Sequence, residues 1–306
     1  MIKRLERSPT LILAVITAGF IIFGYSTSIL KITDFIIFCI YVLGYDLLYG
    51  HMGRLSFGHM LYLGAGAYGT ALCAKYLSSN VFLAILCGIL FGAAIGGILG
   101  PILIRTKGAC FALLNLAFNQ VGHFLVLVPL AKITGGEDGI SLHFTGYRFL
   151  DFSNIHQLFF LSLISLILVA FLIIKFTHSP YGILLKGIKE NETRVNFLGY
   201  NTYRYKLITF VLSTTIAAFA GALTTLNYNY ANPSFIDPHR SVEVIFATLM
   251  GGAGSVLGAV IGGAAFMTIS NYLPRYILRW EMFLGLALLI IAFKFRKGIW
   301  GYIREI

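Results

Sequence analysis

Residues 81–103 read VFLAILCGILFGAAIGGILGPIL, twenty-three positions without a charge. As a helix this run would be about 35 Å long. The hydrocarbon core of a bilayer is about 30 Å thick, and roughly 20 apolar residues cross it. The stretch therefore reads as a membrane-spanning helix. Working outward, similar runs recur near 10–28, 33–49, 57–77, 109–131, 154–176, 205–226, 242–273 and 281–295. Hydrophobic residues make up 58% of the 306-residue chain and charged residues 11%, whereas a soluble domain holds about 45–50% and about 25%. That balance excludes a water-soluble enzyme and a disordered chain. The expected fold is an all-α polytopic membrane protein of about 8–10 transmembrane helices. Residues 1–306 are expected to form one membrane domain that includes the loop 177–204. The N-terminus has the basic start and apolar stretch of a signal peptide. The apolar part is long and no clear cleavage site follows, so it is expected to stay as a first span.

The net charge is +11, and the charges sit between the apolar runs rather than in a basic, aromatic-interleaved surface, which argues against nucleic-acid binding. Cytoplasmic loops of membrane proteins are enriched in Lys and Arg. With the N-terminus inside, 16 of the 23 Lys and Arg residues fall on the cytoplasmic side, including Arg54, Arg105, Lys107 and the cations of 175–206. Seven fall outside: Lys31, Lys75, Lys132, Arg148, Arg240, Arg275 and Arg279. Both termini are thus expected in the cytoplasm. The four cysteines, Cys39, Cys73, Cys87 and Cys110, lie inside apolar runs without metal-like spacing and read as small buried residues.

Parity fails at one place. To reach a cytoplasmic C-terminus, run 242–273 cannot be a single crossing, and it contains GGAGSVLG at 251–258. Non-helical backbone at membrane depth is tolerated only against protein or a water-filled cavity. The run is therefore expected to be either a re-entrant or broken hairpin that turns at Gly251, Gly252 and Gly254, beside the solute path, or two short spans in succession. Two further spacings mark close helix packing. Gly88, Gly92, Gly96 and Gly100 share one helical face, and Gly254, Gly258 and Gly262 repeat the interval. Small residues let helices approach closely where lipid offers no hydrophobic drive. The spacing leaves open whether the partner lies in this chain or another.

Chemistry-bearing motifs are sparse. The chain has no Gly-Lys dipeptide and hence no phosphate-binding loop of the G-x-x-x-x-G-K-[ST] type. Its seven histidines lack metal-ligand spacing. No catalytic residue, cofactor or metal is expected. Ionisable residues inside a membrane are functional candidates by default. Asp46 is expected to reach the headgroup region from the end of its run. His59 reads either as a structural residue bonded to nearby backbone or as a ligand. Glu243 reads either as an acid favoured by the helix dipole at a helix start or as part of the path. Asn119 and His123, one turn apart, suit hydrogen bonds between helices. Residues 179–206, SPYGILLKGIKENETRVNFLGYNTYRYK, read as a short helix and a turn ending at Gly199.

Those last residues resemble the coupling segment of permease subunits from ATP-binding-cassette importers for branched-chain amino acids and related amides. GYDLLYGHMGRLSFGHMLYLGAGAYGTAL (44–72), TKGACFALLNLAFNQ (106–120), TGGEDGI (134–140) and SVEVIFATLMGGAGSVLGAVIGG (241–263) match segments of that family in the same order. The resemblance covers roughly residues 44–265. It implies a permease subunit that provides the solute pathway and pairs with a second, homologous permease in a bacterial cytoplasmic membrane. It also implies two cytoplasmic ATPases and an extracytoplasmic solute-binding protein. On this basis Gly187, Lys189, Glu190, Asn191, Glu192 and Gly199 are expected to couple to the ATPases. Thr134, Gly135, Gly136 and Asp138 are expected to meet the binding protein. Gly58, His59, Asn115, Glu243, Gly251, Gly252 and Gly254 are candidates for the pathway.

The form TRVNFLGYN is also seen in urea and short-amide permeases, and Asn115 stands where the family often has threonine. A urea or short-amide permease is therefore the alternative. A stand-alone secondary transporter or channel is the rival from another class, but a coupling-ion site near mid-membrane would need more carboxylates than this chain offers.

Overall fold

The computed structural model describes residues 9–24, 28–142, 155–277 and 298–305, together with 279, 282, 285 and 286. Its helices are α1 (Pro9–Gly24), α2 (Ile29–Asp46), α3 (Met60–Tyr76), α4 (Val81–Leu103) and α5 (Gly108–Leu127). They continue with α6 (Ile155–Thr177), α7 (Pro180–Phe197), α8 (Thr202–Tyr228), α9 (Ser241–Gly251), α10 (Val256–Tyr272) and α11 (Gly298–Glu305). Among the described residues, six helices are long and apolar enough to cross a membrane: α2 with its extension, α4, α5, α6, α8 and α10. The protein is an all-α, multi-pass membrane protein. The expected run 81–103 coincides with α4, and most other runs match a helix to within a few residues. The run 281–295 lies outside the described residues.

The core forms around α3, whose residues from Met60 to Ala71 are all buried. A helix apolar on every face is stable only when surrounded, and α4 and α8 enclose it. The glycine face of α4 makes this approach possible and settles its partner: it packs within the chain. A Cβ on Gly96 would lie 2.9 Å from Thr214 Cβ in α8, and one on Gly100 would lie 2.8 Å from Leu207 Cδ1. Gly88 and Gly92 likewise abut Gly66, Thr70 and Ala218. The outer surfaces of α4 and α6 carry exposed Leu86, Leu90, Ile98, Ile164, Leu168 and Leu172, an apolar belt of the kind that faces acyl chains.

The run 242–273 is a broken hairpin of two helices, α9 and α10. Helix α9 has 11 residues, about 16 Å at helical rise, too short to cross the hydrocarbon. The chain turns at 252–255 and returns as α10. The two arms touch backbone to backbone, since a Cβ on Gly262 would sit 2.6 Å from the Gly251 amide nitrogen. Gly252 (φ +104°) and Gly254 (φ +90°) occupy positive-φ conformations that glycine adopts without a Cβ clash.

Two elements place the bundle ends. Lys189 of α7 reaches Gly50 at the end of α2, and the hairpin turn lies against Gly50 and Gly298. The α7 face therefore holds the end of α2, the hairpin tip and the start of α11. The opposite face holds a two-residue antiparallel ladder, β1 (Ile140–Ser141) with β2 (Tyr230–Ala231). Two cysteines depart from expectation. Cys39 and Cys73 are buried, but Cys87 is only half-buried and Cys110 is exposed at the outer side of α5, because α5 is packed on one flank only.

Candidate transport site

Helices α3 and α9 both begin inside the bundle rather than at its surface. The backbone leading into α3 is squeezed at Gly58, where a Cβ would overlap the Asn115 carbonyl. Met60 N–H then donates to Ser241 Oγ (3.4 Å), and Asn119 Nδ2 donates to the same hydroxyl (3.1 Å). Ser241 thus joins α3, α5 and α9, which fulfils the inter-helix role expected of Asn119. Asn115 is also buried. Its Nδ2 donates to the Phe111 carbonyl (2.8 Å), and its Oδ1 accepts from Tyr62 Oη (3.4 Å).

His59 is fully buried among Tyr41, Tyr45 and Tyr62, with ring centroids 5.3–5.8 Å away. Ser213 Oγ donates to the Gly44 carbonyl (2.6 Å) and lies 3.3 Å from His59 Nε2. The serine hydrogen is committed to that carbonyl, so Nε2 carries the imidazole hydrogen and donates. The bond is to a side chain of α8, not to nearby backbone as the sequence suggested.

Asp46 overturns its expectation. It is 2% exposed, and its Oδ1 accepts the Gly254 N–H at 2.8 Å. It reaches the hairpin tip, not the headgroups. After Asp46 the helix widens into a π-turn (Leu47–His51), an irregularity common at functional positions. A Cβ on Gly50 would overlap both Asp46 Oδ1 and the Gly254 nitrogen, so only glycine permits this three-way contact. Lys189 Nζ donates to the Gly50 carbonyl at 2.6 Å. Helix α7, the π-turn and the tip are therefore mechanically joined.

Within α7, Asn191 leaves the helical region (φ −156°, ψ 95°) and divides the helix in two. Glu192 follows at the junction. It bonds Lys206 Nζ (2.5 Å) and lies 3.4 Å from Arg54 Nη2, while Arg54 Nη1 donates to the Thr106 carbonyl (2.7 Å). Burial alone would raise the Glu192 carboxyl. The bond and charge of Lys206, with Lys107 and Arg54 nearby, outweigh it and hold the group below its ordinary 4.5. Burial lowers Arg54 despite the Glu192 charge. Gly187 is half-buried beside Val195, while Glu190 and Gly199 (φ +86°) face outward. Beyond them Phe197 is 87% exposed, with Leu198, Tyr200 and Ile183 also exposed.

The expected pathway residues therefore form three groups, not one site. Gly58, His59 and Asn115 belong to the interior knot. Gly251, Gly252 and Gly254 lie at the α7 face. Glu243, in the first turn of α9, pairs with Arg240 at 3.3 Å and lines a cavity of about 390 Å³ toward the opposite face. In the segment 134–138, Thr134 and Gly136 are buried, and Thr134 Oγ1 donates to the Val126 carbonyl (2.7 Å). Gly135 is half-buried in the turn, and Asp138 is exposed. The cavity also involves Asp34, Tyr41 and Arg240, which the sequence reading did not single out. Asp34 could have been found as a lone acid inside an apolar run. Tyr41 gives no signal in sequence.

Residues 11–293 match the family model described as branched-chain amino acid transport system / permease component. The chain is 28% identical over 284 residues to the high-affinity branched-chain amino acid transport system permease protein LivM of Escherichia coli (strain K12), covering 84% of this chain and 66% of that protein. It is 26% identical over 247 residues to LivH, the similarly named permease protein of the same strain, covering 74% and 78%. The ribose import permease protein RbsC of Haemophilus influenzae is 28% identical over 229 residues, covering 72% and 68%. The chain thus spans just under two thirds of the length of LivM. No solved structure matches. With a family match running through nearly all of its helices, the chain belongs to the family of branched-chain amino acid transport permease components.

Proposed function

We propose that this protein is the transmembrane permease subunit of an ATP-driven importer for branched-chain or other hydrophobic amino acids in a bacterial cytoplasmic membrane. It works with a second, homologous permease, two cytoplasmic ATPases and an extracytoplasmic solute-binding protein. Its α7 face, with both termini, is cytoplasmic. The observation that carries this reading is the construction of α7. One side is fixed to the bundle through Lys189 and Glu192. The other presents Phe197, Leu198 and Tyr200 outside the membrane span, where an apolar cluster has no lipid to bury it and suits a protein partner.

The connections from α7 supply a mechanical route. A push on α7 moves Gly50 through Lys189, and Asp46 passes that displacement to the hairpin tip at Gly254. In this reading Gly187, Glu190, Asn191 and Gly199 shape the coupling element. The hairpin turn closes the path on the cytoplasmic side, and Gly58, His59 and Asn115 form its rigid wall. Asp138 is the exposed member of the segment through which Thr134, Gly135 and Gly136 would orient a contact with the binding protein.

The test is uptake of labelled leucine by cells with and without this gene, and with and without the partner ATPase. Uptake should require both, and excess isoleucine or valine should suppress it. Leucine uptake that persists without the ATPase, or that only urea suppresses, would overturn the reading.

A further inference from the structure

The cavity of about 390 Å³ lies among the helix ends away from α7, bounded by α2, α3, α8, α9 and α10. Its volume falls within the roughly 300–1,000 Å³ of small-molecule sites. Its floor is the knot where α3 and α9 begin. Its walls differ in chemistry. On one side Asp34 accepts from Asn227 Nδ2 (2.5 Å) and Tyr228 Oη (2.7 Å). Those bonds fix the carboxylate, and with about four lone-pair sites it can still accept from a ligand. At the floor Arg240 is held by Glu243 through Nε, with its side chain still 43% exposed. Ile37, Phe38, Leu63 and Met267 supply the apolar surface between them.

Tyr41 adds an independent observation. It lines the cavity and is 1% exposed, yet its hydroxyl has no hydrogen-bond partner among the described residues. A buried polar group without a partner requires an explanation, and a ligand atom provides one once the Tyr41 side chain shifts to open its hydroxyl, now closed to solvent, to the cavity.

A fixed carboxylate, a guanidinium and an unpaired hydroxyl around an apolar patch match one ligand chemistry, namely separate positive and negative charges on a small molecule with an aliphatic side chain. We propose that this cavity is a receiving site, within this subunit, for a zwitterionic aliphatic amino acid. Asp34 takes the ammonium, Arg240 the carboxylate, and Tyr41 a further hydrogen bond, while the aliphatic group lies on Ile37, Leu63 and Met267. This inference rests on the transport reading above and assigns the solute a place in it.

The test uses the assembled transporter in membranes. Asp34→Asn removes the charge and keeps one of the two acceptor oxygens that Asn227 and Tyr228 use, and Arg240→Gln keeps a donor. Each should raise the KM for leucine uptake at least tenfold while the protein is still expressed and assembled with its partners. In a Cys87→Ala, Cys110→Ala background, Ser270→Cys at the cavity wall should react with a small water-soluble thiol reagent, and leucine should slow that reaction while urea does not. If the unaltered transporter takes up leucine but both variants keep a normal KM, or leucine gives no protection, the site is refuted and the transport reading stands. If the unaltered transporter takes up no amino acid, both fall together.

Discussion

Replacing Glu192 by Gln should loosen α7 from the membrane body. Glu192 bonds Lys206 at 2.5 Å and Arg54 at 3.4 Å, and the side chains of those two cations are only 5% and 10% exposed. Without the carboxylate, two positive charges share a poorly solvated corner with no counter-ion. Breaking a buried pair by removing one partner costs about 3–5 kcal/mol. The lower end, about 3 kcal/mol, applies because the Glu192 side chain is 20% exposed and water can enter. At 1.4 kcal/mol per decade, this is roughly a hundredfold in the docked-to-undocked ratio of α7.

The assay is a double-mutant cycle on the purified transporter. It would follow thermal unfolding and the fraction of ATP hydrolysis that depends on solute. Lys206→Met added to Glu192→Gln removes the stranded ammonium and should recover at least 1 kcal/mol, as expected for directly interacting sites. Glu192→Gln behaving like Glu190→Gln on the exposed side of α7, or a strictly additive cycle, would refute the reasoning. The pH dependence has a definite sign. A carboxyl held below its ordinary 4.5 stabilises fully above that pH and loses its contribution as pH falls through its folded value. The unaltered protein should therefore lose stability below pH 4.5 more steeply than the Gln variant.

Asp46→Ala should free the Gly254 amide and the hairpin tip, lowering coupled uptake at least fivefold while ATP hydrolysis continues; unchanged uptake would dissociate the tip from coupling. Gly252→Val should cut transport more than tenfold without preventing assembly, because valine at φ +104° is strained; full activity would show that the turn can rearrange freely. Gly96→Leu should prevent assembly, since even a Cβ would press on Thr214, and a properly assembled complex would show that α4 can move outward. Phe197→Asp should abolish retention of the ATPase during purification and leave membrane insertion unchanged; full retention would argue against docking at this patch.

Much of the fold is legible in the sequence because lipid imposes one-dimensional rules. Span length follows from bilayer thickness, which is why 81–103 and α4 coincide. The break at 251–255 follows from charge parity and glycine content, and the structure makes it the tip of α9 and α10. What escapes are contacts between distant positions. Asp46 meets Gly254 across 208 residues, and a lone acid near a span end gives no sign of such a partner. The packing partner of the α4 glycines is open in sequence for the same reason, since an interval of four records close approach but not to what. Asp34 lies inside a regular span, but nothing in the sequence ties it to Asn227 and Tyr228, and Arg240 lies beyond the spans altogether. The irregular segment between α8 and α9 brings Arg240 inward, and that path is set by the β1–β2 ladder and by Ser241 rather than by local propensity.

The interior starting points of α3 and α9 constrain how the protein is made. Residues 229–240 hold Asn229, Asn232, Pro233, Asp237, Pro238 and Arg240, a composition that no lipid-facing helix would accept. This segment cannot leave the insertion machinery sideways into bilayer as an independent span, because its free backbone groups would find no partners there. It can enter only a slot already walled by α3 and α5, whose Met60 N–H and Asn119 await Ser241. Helix α9 is therefore expected to insert after the first half of the chain has assembled. Variants that weaken α3–α5 packing should then leave the second half exposed to quality-control proteolysis during synthesis.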